Sequence, residues 1–136
     1  MHESFSILVA EDSPVNQKLI LAFLKKLGYQ ADLANNGLEA LERCLHKKYA
    51  LILMDCQMPV LDGFQAATKI IQDHPSAADR PHIIALTAST LIEDRERCAQ
   101  AGMNGYLVKP VKLKELEELI ATVESQRRVP LPSSRG

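Results

Sequence analysis

Apolar runs of strand length alternate along the chain with segments of helical period. Phe5–Ala10 reads as a first strand. Ser13-Pro14 then supplies an N-cap and a proline at the first helical position. Val15, Leu19, Ala22, Phe23 and Leu27 are expected to form the buried face of that first helix, with Gly28 as its left-handed cap. Tyr29–Ala34 alternates polar and apolar positions, as a strand at a sheet edge does. Asn36 can cap a second helix, with Glu39 three residues on, and Leu38, Leu41 and Leu45 are the expected buried stripe.

The runs Leu51–Met54 and Ile83–Leu86 do not alternate. A strand apolar on both faces belongs in the middle of a parallel sheet covered by helices on both sides. Phe64, Ala67 and Ile71 space a third helix, Gly105–Val108 is a fifth strand, and Leu113, Leu116, Ile120 and Val123 mark the last helix. Between strands four and five, Glu93–Arg97 is charged throughout. That helix is expected to be held by Leu91, Ile92 and the Cys98–Ala101 end; its charged middle reads plainly as a solvated face, and more sharply as a loosely held element that can move. The periodicity fades from Glu124 onward. Residues 4–123 therefore read as one domain, and 124–136 as a linker or disordered tail.

Five strands alternating with five helices predict an α/β fold around a parallel sheet, with helices on both faces. A length of 136 residues suits a single domain with its own core. The net charge of −1 argues against a nucleic-acid binder. No apolar run is long enough to span a membrane, and no signal peptide is expected. Cys44, Cys56 and Cys98 make neither a disulfide framework nor a CxxC site. They read as core residues in a reducing, cytoplasmic setting. His2, His46, His74 and His82 share no ligand spacing.

Parallel strands share a carboxyl edge, where ligands of such folds bind. There the chain has Glu11-Asp12 after strand one, Asp55 after strand three, Thr87-Ala88 after strand four and Lys109-Pro110 after strand five. Each alone has a plain explanation as a helix-dipole partner, a turn residue or a surface lysine. Together they form a crevice with three carboxylates, a hydroxyl and an ammonium. Two unit charges ~4 Å apart repel by about 4 kcal/mol at an effective dielectric near 20. A hard cation such as Mg²⁺ relieves that repulsion and keeps positions open for phosphate oxygens. The set points to Mg²⁺-assisted phosphoryl transfer with a carboxylate nucleophile.

Four motifs then carry a resemblance: Val9-Ala10-Glu11-Asp12, Met54–Gly63 with Asp55-Cys56-Gln57-Met58-Pro59, Ala85-Leu86-Thr87-Ala88 and Gly105–Pro110. In this combination the chain resembles a response-regulator receiver domain of the CheY-like fold. The form is that found in hybrid sensor histidine kinases. The resemblance implies strand order 2-1-3-4-5. It implies Asp55 as phosphoacceptor, with Lys109, Thr87 and Ala88 completing the catalytic set. It implies a Mg²⁺ site from Asp12, Asp55 and the Gln57 carbonyl, with Glu11 acting mainly through water. Thr87 and Tyr106 would be the switch pair, and Lys109–Pro110 a cis peptide. The implied partner is a histidine kinase or a histidine phosphotransfer domain, and the implied catalysis is the domain's own phosphorylation and slow autodephosphorylation. Two other readings stay open. An aspartyl-phosphate phosphatase would want an acid where Gln57 stands. A flavodoxin-like cofactor binder would want a Gly- or Ser/Thr-rich loop where Glu11–Pro14 stands.

Overall fold

Three residue types decide where the first helix of the computed structural model begins and ends. The Ser13 hydroxyl accepts from Asn16 N at 3.4 Å, Pro14 opens the helix, and Gly28 beyond it has φ 94°. The structure describes residues 5–76, 80–88 and 91–128. Its strands are β1 (Ile7–Ala10), β2 (Ala31–Ala34), β3 (Leu51–Asp55), β4 (His82–Thr87) and β5 (Gly105–Val108). The helices are α1 (Pro14–Lys26), α2 (Gly37–His46), α3 (Gly63–Asp73), α4 (Ile92–Gln100) and α5 (Leu113–Arg128). All strands are parallel, in the order β2-β1-β3-β4-β5. The unbroken apolar runs are central, and the alternating β2 is an edge, as its pattern requires.

The sheet separates two cores. On one face, Leu8, Ile52, Met54, Ile83 and Ala85 pack under α2, α3 and α4. On the other, Ile7, Val9, Leu51, Leu53, Ile84 and Leu86 pack under α1 and α5, with Leu116, Ile120 and Val123. Cys44, Cys56 and Cys98 are free thiols buried in the first of these cores. Burial pushes the Cys56 thiol up to about 12, with the adjoining Cys98 thiol adding to the shift, so it stays protonated.

Three helical faces differ from their sequence patterns. In α1 the buried residues are Ile20 and Leu24, with Phe23 and Leu27 partly covered, while Val15 is 76% exposed. Leu19–Leu24 is apolar all round, so periodicity cannot select a face, and contact with the sheet does. In α2 the buried residues are Gly37, Ala40 and Cys44, while Leu38 and Leu45 face out. A Cβ on Gly37 would stand 2.1 Å from the Leu61 carbonyl oxygen. Such close approach selects small side chains and turns Leu38 and Leu45 away, while Leu41, as expected, still packs against the core. In α4, Leu91 and Ile92 are not anchors: Ile92 is 70% exposed, and Cys98 is the one buried residue of the helix.

α5 runs to Arg128, past the point where its apolar period fades. Its later turns are held by polar contacts that periodicity does not register. Tyr29 donates its hydroxyl to Glu124 Oε1 at 3.0 Å, and His82 Nε2 lies 3.1 Å from Gln126 Oε1. Glu124–Arg128 is therefore helix rather than linker. Residue 4, His2 and residues 129–136 lie outside the described residues. His74 Nδ1 lies 2.7 Å from the Ile70 carbonyl, so this ring is satisfied within its helix.

Candidate functional site

The chain leaves the sheet at the carboxyl ends of β1, β3, β4 and β5, and these exits line one cleft of about 670 Å³. Glu11, Asp12, Asp55, Gln57, Thr87, Ala88 and Lys109 all border it. Every residue expected at the site except Tyr106 is thus brought together. Tyr106 lies on β5 outside the cleft, half-buried, with the Arg95 guanidinium 5.0 Å above its ring.

Glu11 follows β1 directly and is fully buried. Its backbone N–H continues the sheet ladder to the Ala34 carbonyl at 3.0 Å. Its Oε2 accepts from Ser13 N at 3.1 Å, and its Oε1 lies 3.2 Å from Lys109 Nζ. That approach has ion-pair distance but not hydrogen-bond direction, so Oε1 remains a buried oxygen without a donor. Asp12 is exposed at the cleft rim.

Asp55 ends β3 and is 4% exposed. Gln57 N donates to its Oδ1 at 3.1 Å, and Lys109 Nζ lies 3.0 Å from its Oδ2. The loop after it folds back tightly. Gly63 N donates to the Cys56 carbonyl at 3.1 Å, and a Cβ at Gly63 would stand 2.2 Å from the Asp55 carbonyl oxygen. Only glycine lets α3 begin this close to the strand end. Asp62 and Gln65 close a capping box that holds the start of α3. Lys109 is set by its backbone N–H, which donates to the Thr87 carbonyl at 2.7 Å, and the Lys109–Pro110 peptide is cis.

The electrostatics follow from this crowding. Burial holds the Glu11 carboxyl above its usual range, and the charge of Asp55 adds to that despite the Ser13 N–H. Burial would lower the Lys109 ammonium, but its hydrogen bond to Asp55 and the charges of Asp55 and Glu11 outweigh that and raise it. One carboxylate oxygen each from Glu11, Asp12 and Asp55 lies within 4.8 Å of the others. A single lysine cannot offset three carboxylates. The donorless Glu11 Oε1 and this all-oxygen cluster fit a hard metal ion.

Sequence reasoning overlooked two supports. Gln17, on α1, donates its Nε2 both to the Glu11 carbonyl and, at 2.8 Å, to Asn35 Oδ1, which fastens the acidic turn to the chain after β2. Arg97, absorbed in the charged run Glu93–Arg97, lines the cleft and lies 4.1 Å above the Phe64 ring. Spacing along α4 carries no signal for it, because Phe64 comes from another helix.

The family model described as the response regulator receiver domain matches residues 7–121. The hybrid signal transduction histidine kinase B of Dictyostelium discoideum is 42% identical over 119 residues. That match covers 81% of this chain and 6% of the kinase. The hybrid signal transduction protein dokA of the same organism is 44% identical over 115 residues, covering 85% of this chain and 7% of dokA. The chain thus spans a small part of the curated relatives it matches. Among solved structures, it is similar to the receiver domain of sensor histidine kinase PA1611 from Pseudomonas aeruginosa, which holds a magnesium ion in its active-site cleft. Identity is 44%, the TM-score 0.80, and coverage 89% of this chain and 98% of that one. The Ssk1 receiver domain of Saccharomyces cerevisiae, crystallised with the histidine phosphotransfer protein Ypd1, matches with a TM-score of 0.84 at 33% identity, over 92% of each chain.

Proposed function

This chain belongs to the response regulator receiver family, the phosphorelay domains of two-component signalling, and from that membership we propose that Asp55 is its phosphoacceptor. The observation that carries the reading is the placement of Asp55: buried at the end of the central strand, 3.0 Å from Lys109 Nζ and clustered with Glu11 and Asp12. Asp12, Asp55 and the Gln57 carbonyl would hold Mg²⁺, with Glu11 acting on it mainly through water. Bound there, Mg²⁺ offsets negative charge on the phosphoryl oxygens.

The chain's own groups do the rest. An oxygen of Asp55 attacks the phosphorus of a phosphohistidine. The P–N bond breaks, and its electron pair leaves on the imidazole. A carboxylate attacks without losing a proton, so no general base is required. Lys109 remains as counterion to the product acyl phosphate, Thr87 offers its hydroxyl to a phosphoryl oxygen, and Ala88 lines the same wall. Slow hydrolysis of the acyl phosphate resets the domain. The donor is a histidine kinase or a histidine phosphotransfer domain, the class that the Ssk1 receiver meets in Ypd1. Among the described residues no helix is long and apolar enough to cross a membrane.

Incubation with Mg²⁺ and acetyl phosphate, followed by intact mass measurement, tests the assignment. Wild type gains one hydroxylamine-labile phosphate and Asp55→Asn gains none. A full labile phosphate on Asp55→Asn overturns it.

A further inference from the structure

The geometry points to Arg97 as a second cation for the phosphoryl group on Asp55, recruited from its resting place on the Phe64 ring. This deepens the phosphoacceptor reading and rests on it.

Two contacts place Arg97 close to the acceptor. Phe64 follows Gly63, whose backbone presses against the Asp55 carbonyl. On the other side, the Cys98 thiol, next to Arg97, is buried in the same core as the neighbouring thiol of Cys56, the residue after Asp55. The Arg97 side chain therefore springs from beside the acceptor strand, and it lines the same cleft as Asp55 and Lys109.

Its present contact is a holding position. The guanidinium lies 4.1 Å over the Phe64 ring and, among the described residues, makes no ion pair. Asp94, one turn earlier and also at the cleft, is not within ion-pair distance. A guanidinium stacked on an aromatic face keeps its in-plane N–H donors available. In the unphosphorylated cleft, the charge of Asp55 is already met by Lys109. A phosphoryl group adds anionic oxygens that one ammonium cannot satisfy, and a planar guanidinium suits them.

The helix that carries Arg97 is free to follow. α4 buries only Cys98, and Ile92 at its start is 70% exposed. Moving the guanidinium from Phe64 to phosphoryl oxygens would draw the middle of α4 toward the cleft, a pull separate from that of Thr87.

Beryllofluoride, which forms a phosphoryl-like adduct on an aspartate, tests this without any partner protein. Its affinity is measured at saturating Mg²⁺ for wild type, Arg97→Gln, Arg97→Lys, Phe64→Leu and Lys109→Ala, at low and high salt. Arg97→Gln is expected to weaken binding roughly three- to tenfold, as an exposed charge-assisted contact does. Arg97→Lys should recover part of the loss, and Arg97→Gln should flatten the salt dependence. Mg²⁺ affinity without beryllofluoride should stay at wild type or tighten. Wild-type beryllofluoride affinity in Arg97→Gln, beside a clear loss in Lys109→Ala, overturns the inference. So does an equal loss of Mg²⁺ affinity, which marks general damage to the cleft. If Arg97→Gln does not fold, unchanged affinity in both Arg97→Lys and Phe64→Leu overturns it as well. A wild-type protein that binds no beryllofluoride overturns the phosphoacceptor reading itself.

Discussion

Lys109 Nζ stands between two buried carboxylates, 3.0 Å from Asp55 Oδ2 and 3.2 Å from Glu11 Oε1. One ammonium thus serves both the proposed acceptor and the buried member of the acidic pair. Lys109→Ala leaves both charges without it. Metal-free stability should fall by about 1–3 kcal/mol, less than for a fully buried pair because Lys109 is partly exposed. Phosphorylation by acetyl phosphate should slow about a hundredfold, the scale of losing one preorganised electrostatic contact. Mg²⁺ affinity should rise, since a competing cation is gone. Urea unfolding, intact mass against time and Mg²⁺ titration read the three effects; unchanged phosphorylation would remove Lys109 from the mechanism.

The repulsion within the acidic cluster bears on Glu11 more than on Asp12, because Glu11 is buried and Asp12 is exposed. Burial makes its charged form the unfavourable one. Glu11→Gln is therefore expected to raise the metal-free melting temperature at neutral pH. It should also weaken Mg²⁺ about tenfold, the usual cost of altering a group that acts on a metal through its surroundings. A lower metal-free melting temperature would show that Glu11 is held more by Lys109 than it is penalised by burial.

At the other edge of the fold, Asp32 accepts from the buried Tyr49 hydroxyl at 2.6 Å and from Lys47 Nζ at 3.1 Å. The Tyr49 hydrogen bond, with help from Lys47, holds the Asp32 carboxyl below its ordinary value of 3.8, against the opposing effect of burial. A carboxylate with a lowered folded-state value stabilises the fold above its ordinary value. That contribution is lost as pH falls through the lowered one. Tyr49→Phe should cost about 1 kcal/mol at pH 7, discounted for the exposure of Asp32. The difference between the two proteins should narrow below about pH 4. Urea unfolding from pH 2 to 7 checks this, and a pH-independent difference would assign the loss to packing.

Tyr106 pairs with Ala85 across β4 and β5, and Thr87 lies two residues beyond Ala85. Alternation puts Thr87 and Tyr106 on the same sheet face as diagonal neighbours. A charge-assisted hydrogen bond from Thr87 to a phosphoryl oxygen contributes about 1.5–3 kcal/mol, enough for a ten- to hundredfold population shift. With beryllofluoride, amide exchange in Ile92–Gln100 should change in wild type, and less in Thr87→Ala that still binds the mimic. The same response in both proteins would leave Thr87 as a phosphate contact only.

The strands and the site were legible in the chain for a common reason. Leu51–Met54 and Ile83–Leu86 are apolar on both faces, which only a central parallel strand accommodates. Acids, a threonine and a lysine at the strand ends must meet, because parallel strands share one carboxyl edge. These inferences need only local pattern and connectivity.

What the sequence left undecided depends on contacts between distant segments. The face of α1 was open because Leu19–Leu24 is apolar all round, and the sheet chose Ile20 and Leu24. The face of α2 was decided by the Leu61 carbonyl, which admits only Gly37, and so buries small residues while Leu38 and Leu45 face water. The end of α5 was set by Tyr29 and His82, which reach Glu124 and Gln126 where the apolar period has ended. The place of Arg97 was set by Phe64 on another helix. Periodicity records what a helix could bury; close backbone approach and side chains from other elements determine what it does bury.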